Sequence, residues 1–256
     1  MKAIWKGSIS FGLVNIPIKL YGATEQSSLN LEMVDKRDMA KVRFKRINEV
    51  TGKEMEWENI GKAYKFNGEL VLLDDEDFER ASPEKSKIIE VNHFVNEEEI
   101  DSIFYENSYY VEPEKSGEKA YALLRDALAK SGKVGLAQFV MRTSETLSVL
   151  KPSKSVLVLS KIRFAEEVRS TEELLVPAKS IVKPEELKMA MTLIDQYTQP
   201  FDITKYKDEY AASLLEVIKE RATGKKGRVR KLKVMHPSTQ NLMDQLKASL
   251  AKTKVS

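Results

Sequence analysis

The chain has 256 residues, 42% of them hydrophobic, which is enough for one sizeable core and a small appendage. It contains no cysteine, which excludes a disulfide framework and thiolate chemistry. Without an N-terminal apolar signal segment or an 18-residue apolar run, the sequence predicts a protein that is not secreted and does not span a membrane, and no membrane partner is expected. The net charge of +3 is uneven: residues 224–256 carry nine Lys or Arg against one Asp, a net +8, which leaves −5 for residues 1–223. Nucleic-acid contact by residues 1–223 therefore needs a local cluster of cations.

Residues 3–21 alternate apolar and polar side chains close to the period of two that a half-buried strand requires. Gly7, Gly12 and Pro17 interrupt the alternation, as expected where strands bulge or bend at a barrel corner. The segment predicts two short strands that turn a corner. Further short apolar or alternating runs predict strands at 70–73, 87–95, 109–111, 134–141 and 156–164.

One helix is predicted among these strands. Ser116 is placed to cap it, Tyr121, Leu124 and Leu128 fall on one face, and Gly132 follows as the residue that ends it. Strands with a single intervening helix indicate an α+β fold that is mainly β.

A cationic cluster lies in residues 36–53, where seven cations face only Asp38 and Glu49. The seven are Lys36, Arg37, Lys41, Arg43, Lys45, Arg46 and Lys53. Residues 42–45 alternate apolar and basic side chains as a strand would, so one basic face is able to meet phosphates. A solvated hairpin whose charges keep an edge strand from aggregating explains the same residues without nucleic acid. The residues alone leave both interpretations open.

The pattern becomes helical from Val182 onward. Pro184 suits a first helical turn, and one apolar stripe follows it at Leu187, Ala190, Met191, Ile194 and Tyr197. After Pro200, a second stripe comprises Tyr206, Tyr210, Leu214 and Val217 and ends at Gly224. These stripes must be buried either on the same chain or on another subunit.

The last 33 residues combine a polycation with an amphipathic segment. The flexible basic part, which predicts salt-sensitive attraction to phosphate, comprises Lys225, Lys226, Arg228, Arg230, Lys231 and Lys233. A final helix capped by Ser238 or Thr239 lines up Leu242, Met243, Leu246 and Leu250. That helix is either a docking peptide or a cap on its own domain.

Four blocks, in order, resemble the prokaryotic Ku family of DNA-end-binding proteins. They are Trp5 to Pro17, Gly117 to Arg125, Val134 to Ala137 and Lys183 to Ala190. The resemblance implies a Ku-type β-barrel core at residues 1–178, with a bridge hairpin inserted at about 31–64 that arches over DNA. It also implies a helical arm at 179–223 and, at 224–256, a basic linker with a docking helix.

The same resemblance implies partners. A homodimeric ring threads onto double-stranded DNA ends, and the bridge cluster touches the backbone; of the scattered cations Arg125, Arg142 and Lys151, Arg142 is singled out. The arm residues expected at the dimer interface are Leu187, Met191, Ile194, Tyr210 and Leu214. The final helix is expected to dock on ATP-dependent DNA ligase D, and the protein is expected in the cytoplasm with the nucleoid.

Some Ku relatives carry zinc-binding cysteines in the bridge, but here Asn48 and Thr51 stand at those positions. Neither is a plausible zinc ligand. We therefore predict a bridge without metal, held by packing of Val42, Phe44, Ile47, Val50 and Trp57.

Catalytic signals are few. His93 and His236 are isolated, no phosphate-binding GxxxxGK[ST] loop is present, and no cofactor is expected. The run Asp74 to Asp77 is the one candidate magnesium site, although a helix cap at Asp74 with acids in the first turn is the simpler explanation. Two hypotheses follow: a non-enzymatic clamp on DNA ends, or a metal-dependent nuclease acting through Asp74–Asp77, which Asp74→Ala with Asp77→Ala would inactivate.

Overall fold

A computed structural model describes residues 1–25, 29–81, 87–141, 144–177, 181–224 and 242–253. The chain divides into two compact units. The first comprises residues 1–27 and 32–170, and the second comprises residues 28–31 and 171–256.

The first unit contains the strands and two helices. In chain order these are β1 (Trp5–Phe11), β2 (Val14–Gly22), β3 (Lys62–Phe66), β4 (Glu69–Leu73), α1 (Asp75–Ala81), β5 (Ile88–Asn96), β6 (Tyr105–Pro113), α2 (Glu118–Ser131), β7 (Lys133–Met141), β8 (Ser144–Ser153) and β9 (Val156–Ile162). The strands predicted at 70–73, 87–95, 109–111, 134–141 and 156–164 are confirmed as β4, β5, β6, β7 and β9.

Within the described residues, seven strands close a barrel in the order β1-β2-β6-β9-β8-β7-β5, while β3 and β4 form a separate two-stranded sheet. Neighbours in the barrel are antiparallel except β1 and β5, which run parallel and close it. Its largest fully buried apolar side chains are Ile9, Ile16, Ile18, Leu20, Ile89, Leu150, Leu157 and Leu159. The predicted mainly-β barrel is therefore confirmed.

The N-terminal corner is the β1–β2 hairpin, in which Phe11 pairs with Val14 around Gly12 at φ 57°. Gly7 lies where β5 approaches β1: a Cβ there would stand 2.2 Å from the Lys87 carbonyl oxygen. That carbonyl accepts a hydrogen bond from the next amide along β1, at 2.9 Å. The two predicted strands are confirmed, and Gly7 is needed for barrel closure.

Helix α2 packs on the barrel through Tyr121, Leu124 and Leu128, as predicted, and ends at Gly132 with φ 65°. The Ser116 cap is wrong. The helix begins after Gly117, whose missing side chain lets the backbone lie against β2; a Cβ there would be 3.0 Å from Pro17 Cδ. Close approach, not capping, selects the residue at this helix start.

Two strands of the structure, β8 and β3, are not predicted by the sequence pattern. β8 runs through the barrel wall, but two of its four buried positions hold the polar residues Thr146 and Ser148. Ser148 Oγ donates to the Ala137 carbonyl of β7 at 3.1 Å, so a buried hydroxyl is satisfied where the alternation expects an apolar residue. The other, β3, is exposed throughout, and its pattern carries no buried face.

The second unit contains α3 (Pro184–Tyr197), α4 (Glu209–Ala222) and α5 (Leu242–Thr253), and α3 packs against α5. The predicted helices at Pro184 and after Pro200 are confirmed. The half-buried apolar side chains of α3 are Met189, Ala190 and Leu193, whereas much of the predicted stripe is exposed. Among the described helices, none has the length and apolar composition to cross a bilayer.

Candidate nucleic-acid interface

The segment between β2 and β3 carries the predicted cation cluster, and we call residues 31–61 the bridge. Among its described residues the strand-like contacts are two isolated antiparallel pairs, Val34 with Lys41 and Ile47 with Glu54. Each pair closes a tight turn.

The two turns, residues 35–40 and 48–53, are built alike. In both, the first residue's N–H donates to the sixth residue's carbonyl at 2.8 Å, and the fifth residue's N–H donates to the first residue's carbonyl at 2.8 Å. The fifth residue is left-handed in both, with φ 62° at Met39 and 67° at Gly52. The bridge therefore repeats one turn structure thirteen residues apart.

Side-chain oxygens complete these turns. Asp35 Oδ1 accepts from the Arg37 amide at 2.9 Å, and Asn48 Oδ1 accepts from the amides of Val50 and Thr51 at 3.0 and 2.9 Å. Such turns are stabilised by the chain's own carboxylate and amide groups. In the described parts of the chain, no three His, Cys, Asp or Glu side chains converge as metal ligands would.

The predicted packing of the bridge is wrong. The five apolar side chains expected to pack are all exposed: Val42 by 48%, Phe44 by 82%, Ile47 by 65%, Val50 by 93% and Trp57 by 70%. The described bridge is held by the turns and by polar contacts, because its short pairs do not enclose an apolar core. Its apolar side chains remain available to another molecule.

Three of the predicted cations form ion pairs within the bridge. Arg37 binds Asp35 at 2.6 Å, Lys41 binds Glu32 at 2.7 Å and Lys45 binds Glu54 at 2.6 Å. Hydrogen bonds from the Arg37 side chain and amide hold the pKa of Asp35 below its ordinary value, so the carboxylate stays charged.

A fourth cation, Arg46, lies over the Trp57 ring, with its guanidinium carbon 4.5 Å from the ring centroid. A cation over an indole face is attracted by the ring quadrupole. For Lys36, Arg43 and Lys53 the structure records no ion pair among the described residues. The seven cations therefore fall into a paired, a stacked and an unpaired group.

Sequence reasoning missed this division because the pairing acids Glu32, Asp35 and Glu54 lie just outside the 36–53 window. Two of the pairs span nine residues, the separation produced when a tight turn folds the chain back on itself. That spacing of opposite charges around a turn sequence is the signal that would have found them.

The remaining predicted cations are less accessible or outside the described residues. Arg125 pairs with Asp126 at 2.8 Å and donates to the Ser155 carbonyl, and Lys151 pairs with Glu97 beside the Tyr105 ring. Arg142 lies outside the described residues, as do the tail cations Lys225, Lys226, Arg228, Arg230, Lys231 and Lys233. Among the described residues, the predicted cations that are open to solvent are therefore those of the bridge.

The hydrophobic positions proposed for partners differ in exposure. In the arm, Leu187, Met191, Ile194 and Tyr210 are each more than half exposed, and Leu214 is half-buried. In α5, Leu242 is exposed by 55%, whereas Met243, Leu246 and Leu250 are half-buried on the helix that packs with α3. Ser238 and Thr239 lie outside the described residues.

The acidic run forms the start of α1. Asp74 Oδ1 accepts from the Asp77 amide at 2.9 Å, and Asp77 Oδ2 accepts from the Asp74 amide at 3.2 Å. The Asp74 amide and the Arg80 guanidinium, 2.6 Å from Asp77, lower the pKa of the Asp77 carboxyl. The predicted helix cap at Asp74 is confirmed, and the cap engages two of the acids on which the nuclease hypothesis depends.

A family model described as the Ku70/Ku80 beta-barrel domain matches residues 10–189, which include most of the barrel and the bridge. This chain belongs to the Ku family. It is 36% identical to the non-homologous end joining protein Ku of Coxiella burnetii, over 95% of this chain and 90% of that protein. It is 37% identical to the protein of the same name from Archaeoglobus fulgidus, over 99% of this chain and 100% of that protein. For the one from Bacillus subtilis the identity is 38%, over 99% and 83%.

The part of the chain that matches the Ku family model carries the described cations. The matched range begins within β1 and ends within α3, so it contains six barrel strands, the end of β1 and the bridge inserted between β2 and β3. The predicted resemblance to Ku is confirmed. Beyond the family match, the structure shows that the bridge cations divide into paired, stacked and unpaired groups.

Proposed function

We propose that this Ku protein is a non-enzymatic clamp that binds double-stranded DNA ends in end joining. The observation that carries the proposal is the exposed cation cluster on the bridge of a Ku barrel, in a body whose net charge is negative. Because the remaining charge repels a polyanion, binding must be concentrated at Lys36, Arg43 and Lys53, which are exposed and form no ion pair among the described residues.

Backbone binding without sequence readout fits the bridge chemistry. Lysine and arginine side chains on exposed turns reach phosphate oxygens, which carry no sequence information directly. The cap contacts of Asp74 and Asp77 give those acids a structural role, and the clamp needs no bound metal or cofactor. The protein holds DNA without cutting it.

The clamp is completed by a second copy of the chain. The arm, residues 179–223, presents Leu187, Met191, Ile194 and Tyr210 largely exposed, an apolar surface that water disfavours and a partner subunit would bury. With Leu214, these residues form the proposed dimer interface. A closed ring follows, and a ring loads from a free end but not onto a closed circle.

The C-terminal region, residues 224–256, supplies a second attachment to DNA and a docking element. The six tail cations add sequence-independent attraction, and α5, with Leu242 exposed and Met243, Leu246 and Leu250 half-buried, is the proposed docking element for ATP-dependent DNA ligase D. The clamp therefore acts on the nucleoid and delivers the ligase to the ends that it holds.

Binding to linear duplex, hairpin-blocked duplex and closed circular DNA at moderate salt tests the clamp. We expect tight binding to linear duplex, weaker binding where hairpins obstruct entry, and the weakest binding to the circle. Equal affinity for linear and circular DNA would refute threading.

Two variants locate the DNA contacts. Charge reversal at Arg43, Lys45 and Arg46 is expected to abolish end binding, whereas deletion of residues 224–256 weakens it and uncouples ligation. The assignment to the bridge is contradicted if the deletion removes all binding while the charge-reversed bridge binds normally.

A further inference from the structure

Three acidic side chains of the bridge form ion pairs with cations that are expected to meet DNA. Glu32, Asp35 and Glu54 each bind one of Lys41, Arg37 and Lys45 at 2.6 to 2.7 Å. All three cation side chains are at least two-thirds exposed. A phosphate is therefore able to reach each cation, but only by replacing or crowding a carboxylate.

The pairs differ in how firmly the acid is held. Asp35 meets Arg37 through two oxygens, and its Oδ1 also accepts from the Arg37 amide within the first turn. Glu32 and Glu54 each meet a single lysine on a facing segment. Exposed ion pairs of this kind contribute little free energy, so a DNA phosphate is able to compete with the carboxylate for the cation.

We propose that Glu32, Asp35 and Glu54 are internal competitors for phosphate, which weaken side-on binding of the bridge to closed duplex and thereby sharpen selectivity for ends. The inference rests on the proposed end-binding function. DNA touching the bridge from one side has only electrostatic attraction to retain it, and three of the seven cations are already engaged. DNA threaded through a ring is retained by topology and tolerates weaker attraction.

The competition also lowers the salt dependence of binding. A free cation that binds DNA releases a condensed counterion, which steepens the fall of affinity with salt by about 0.9 per contact. A cation that leaves Glu32 or Glu54 exposes a carboxylate, which recruits a cation from solution and offsets that release. The three paired cations therefore contribute less to the salt slope than the three unpaired ones.

The test is the triple variant Glu32→Gln, Asp35→Asn and Glu54→Gln. Asparagine keeps the Oδ1 acceptor that receives the Arg37 amide, so the first turn is retained while the charge is lost. The matched control is Glu49→Gln, Glu56→Gln and Glu58→Gln, which removes the same charge from exposed acids with no ion pair among the described residues.

Both variants and the wild type are titrated with linear duplex and with closed circular DNA at several salt concentrations. For the pair-removing variant we expect affinity for the circle to rise by on the order of tenfold, from roughly two- to threefold per acid. Its gain for linear duplex is expected to be smaller, and its salt slope steeper by about two. The control is expected to change both affinities by less than threefold, because screening limits the effect of acids that touch no cation.

Two results would overturn the inference. Unchanged circle binding in the pair-removing variant would show that the acids do not compete, and equal gains in both variants would show that net charge, not pairing, matters. Failure of the wild type to bind linear duplex would instead refute the end-binding function and the inference with it.

Discussion

Replacement of Tyr121 by phenylalanine tests how α2 is joined to the barrel. The Tyr121 hydroxyl donates to the Val111 carbonyl of β6 at 2.8 Å and accepts from the Leu157 amide of β9 at 2.7 Å. Val111 and Leu157 are paired in the β6–β9 ladder, so the hydroxyl is inserted between two strands. Burial raises the pKa of the Tyr121 phenol, which therefore remains neutral and able to donate.

Replacement by phenylalanine removes the Tyr121 hydroxyl and leaves the buried Val111 carbonyl and the buried Leu157 amide without that partner. Each unsatisfied group costs about 1 to 3 kcal/mol, so Tyr121→Phe is expected to lower the free energy of unfolding by about 2 to 4 kcal/mol. At about 2 to 4 °C per kcal/mol for a chain of this size, Tm falls by roughly 5 to 15 °C. Urea unfolding followed by far-ultraviolet circular dichroism, with a parallel thermal scan, measures both.

Tyr110→Phe is the matched control. Tyr110 lies next to Val111 on β6, its side chain is exposed by 39%, and no hydrogen bond from its hydroxyl is recorded among the described residues. Its substitution is expected to change the free energy of unfolding by less than about 0.5 kcal/mol. A loss below about 0.5 kcal/mol in Tyr121→Phe would refute the bridging role of the hydroxyl.

Three further predictions concern closure, charge and metal. Gly7→Ala should destabilise the barrel by about 1 to 3 kcal/mol in urea unfolding, because its Cβ meets the Lys87 carbonyl. Lys161 lowers the pKa of Glu106, so Glu106→Gln should cost about 0.5 to 1 kcal/mol near pH 7, and the difference should vanish as pH falls through that lowered pKa. End binding should be unchanged by EDTA, because the second turn of the bridge is held by hydrogen bonds to Asn48 and therefore does not depend on a metal ion that EDTA would remove.

The barrel was predictable because its strands bury one face and expose the other. Ile16, Ile18 and Leu20 are buried and alternate with less buried neighbours, and α2 presents its buried residues at helical spacing. β8 was missed because Ser148 satisfies its hydroxyl inside the wall, which a hydropathy pattern cannot register. Buried hydrogen bonds across a sheet depend on which strand is the neighbour.

The bridge was predictable in composition but not in arrangement. Its cations are visible in the sequence, but their pairing with Glu32 and Glu54 arises from turns that fold distant residues together. The predicted packing failed for a different reason: apolar residues such as Phe44 and Trp57 indicate that something must cover them, and the pattern does not say whether it belongs to the same chain. Their exposure favours cover by another molecule.

The central claim, that the protein encircles DNA, is tested most directly by trapping. The protein is loaded on linear plasmid, the plasmid ends are ligated, and the salt is raised to about 1 M, where the Debye length is about 3 Å and electrostatic binding is lost. An encircling clamp is predicted to remain on the closed circle and to be released when one restriction cut reopens it. Loss of the protein from the circle at high salt, at the same rate as from linear DNA, would contradict encirclement.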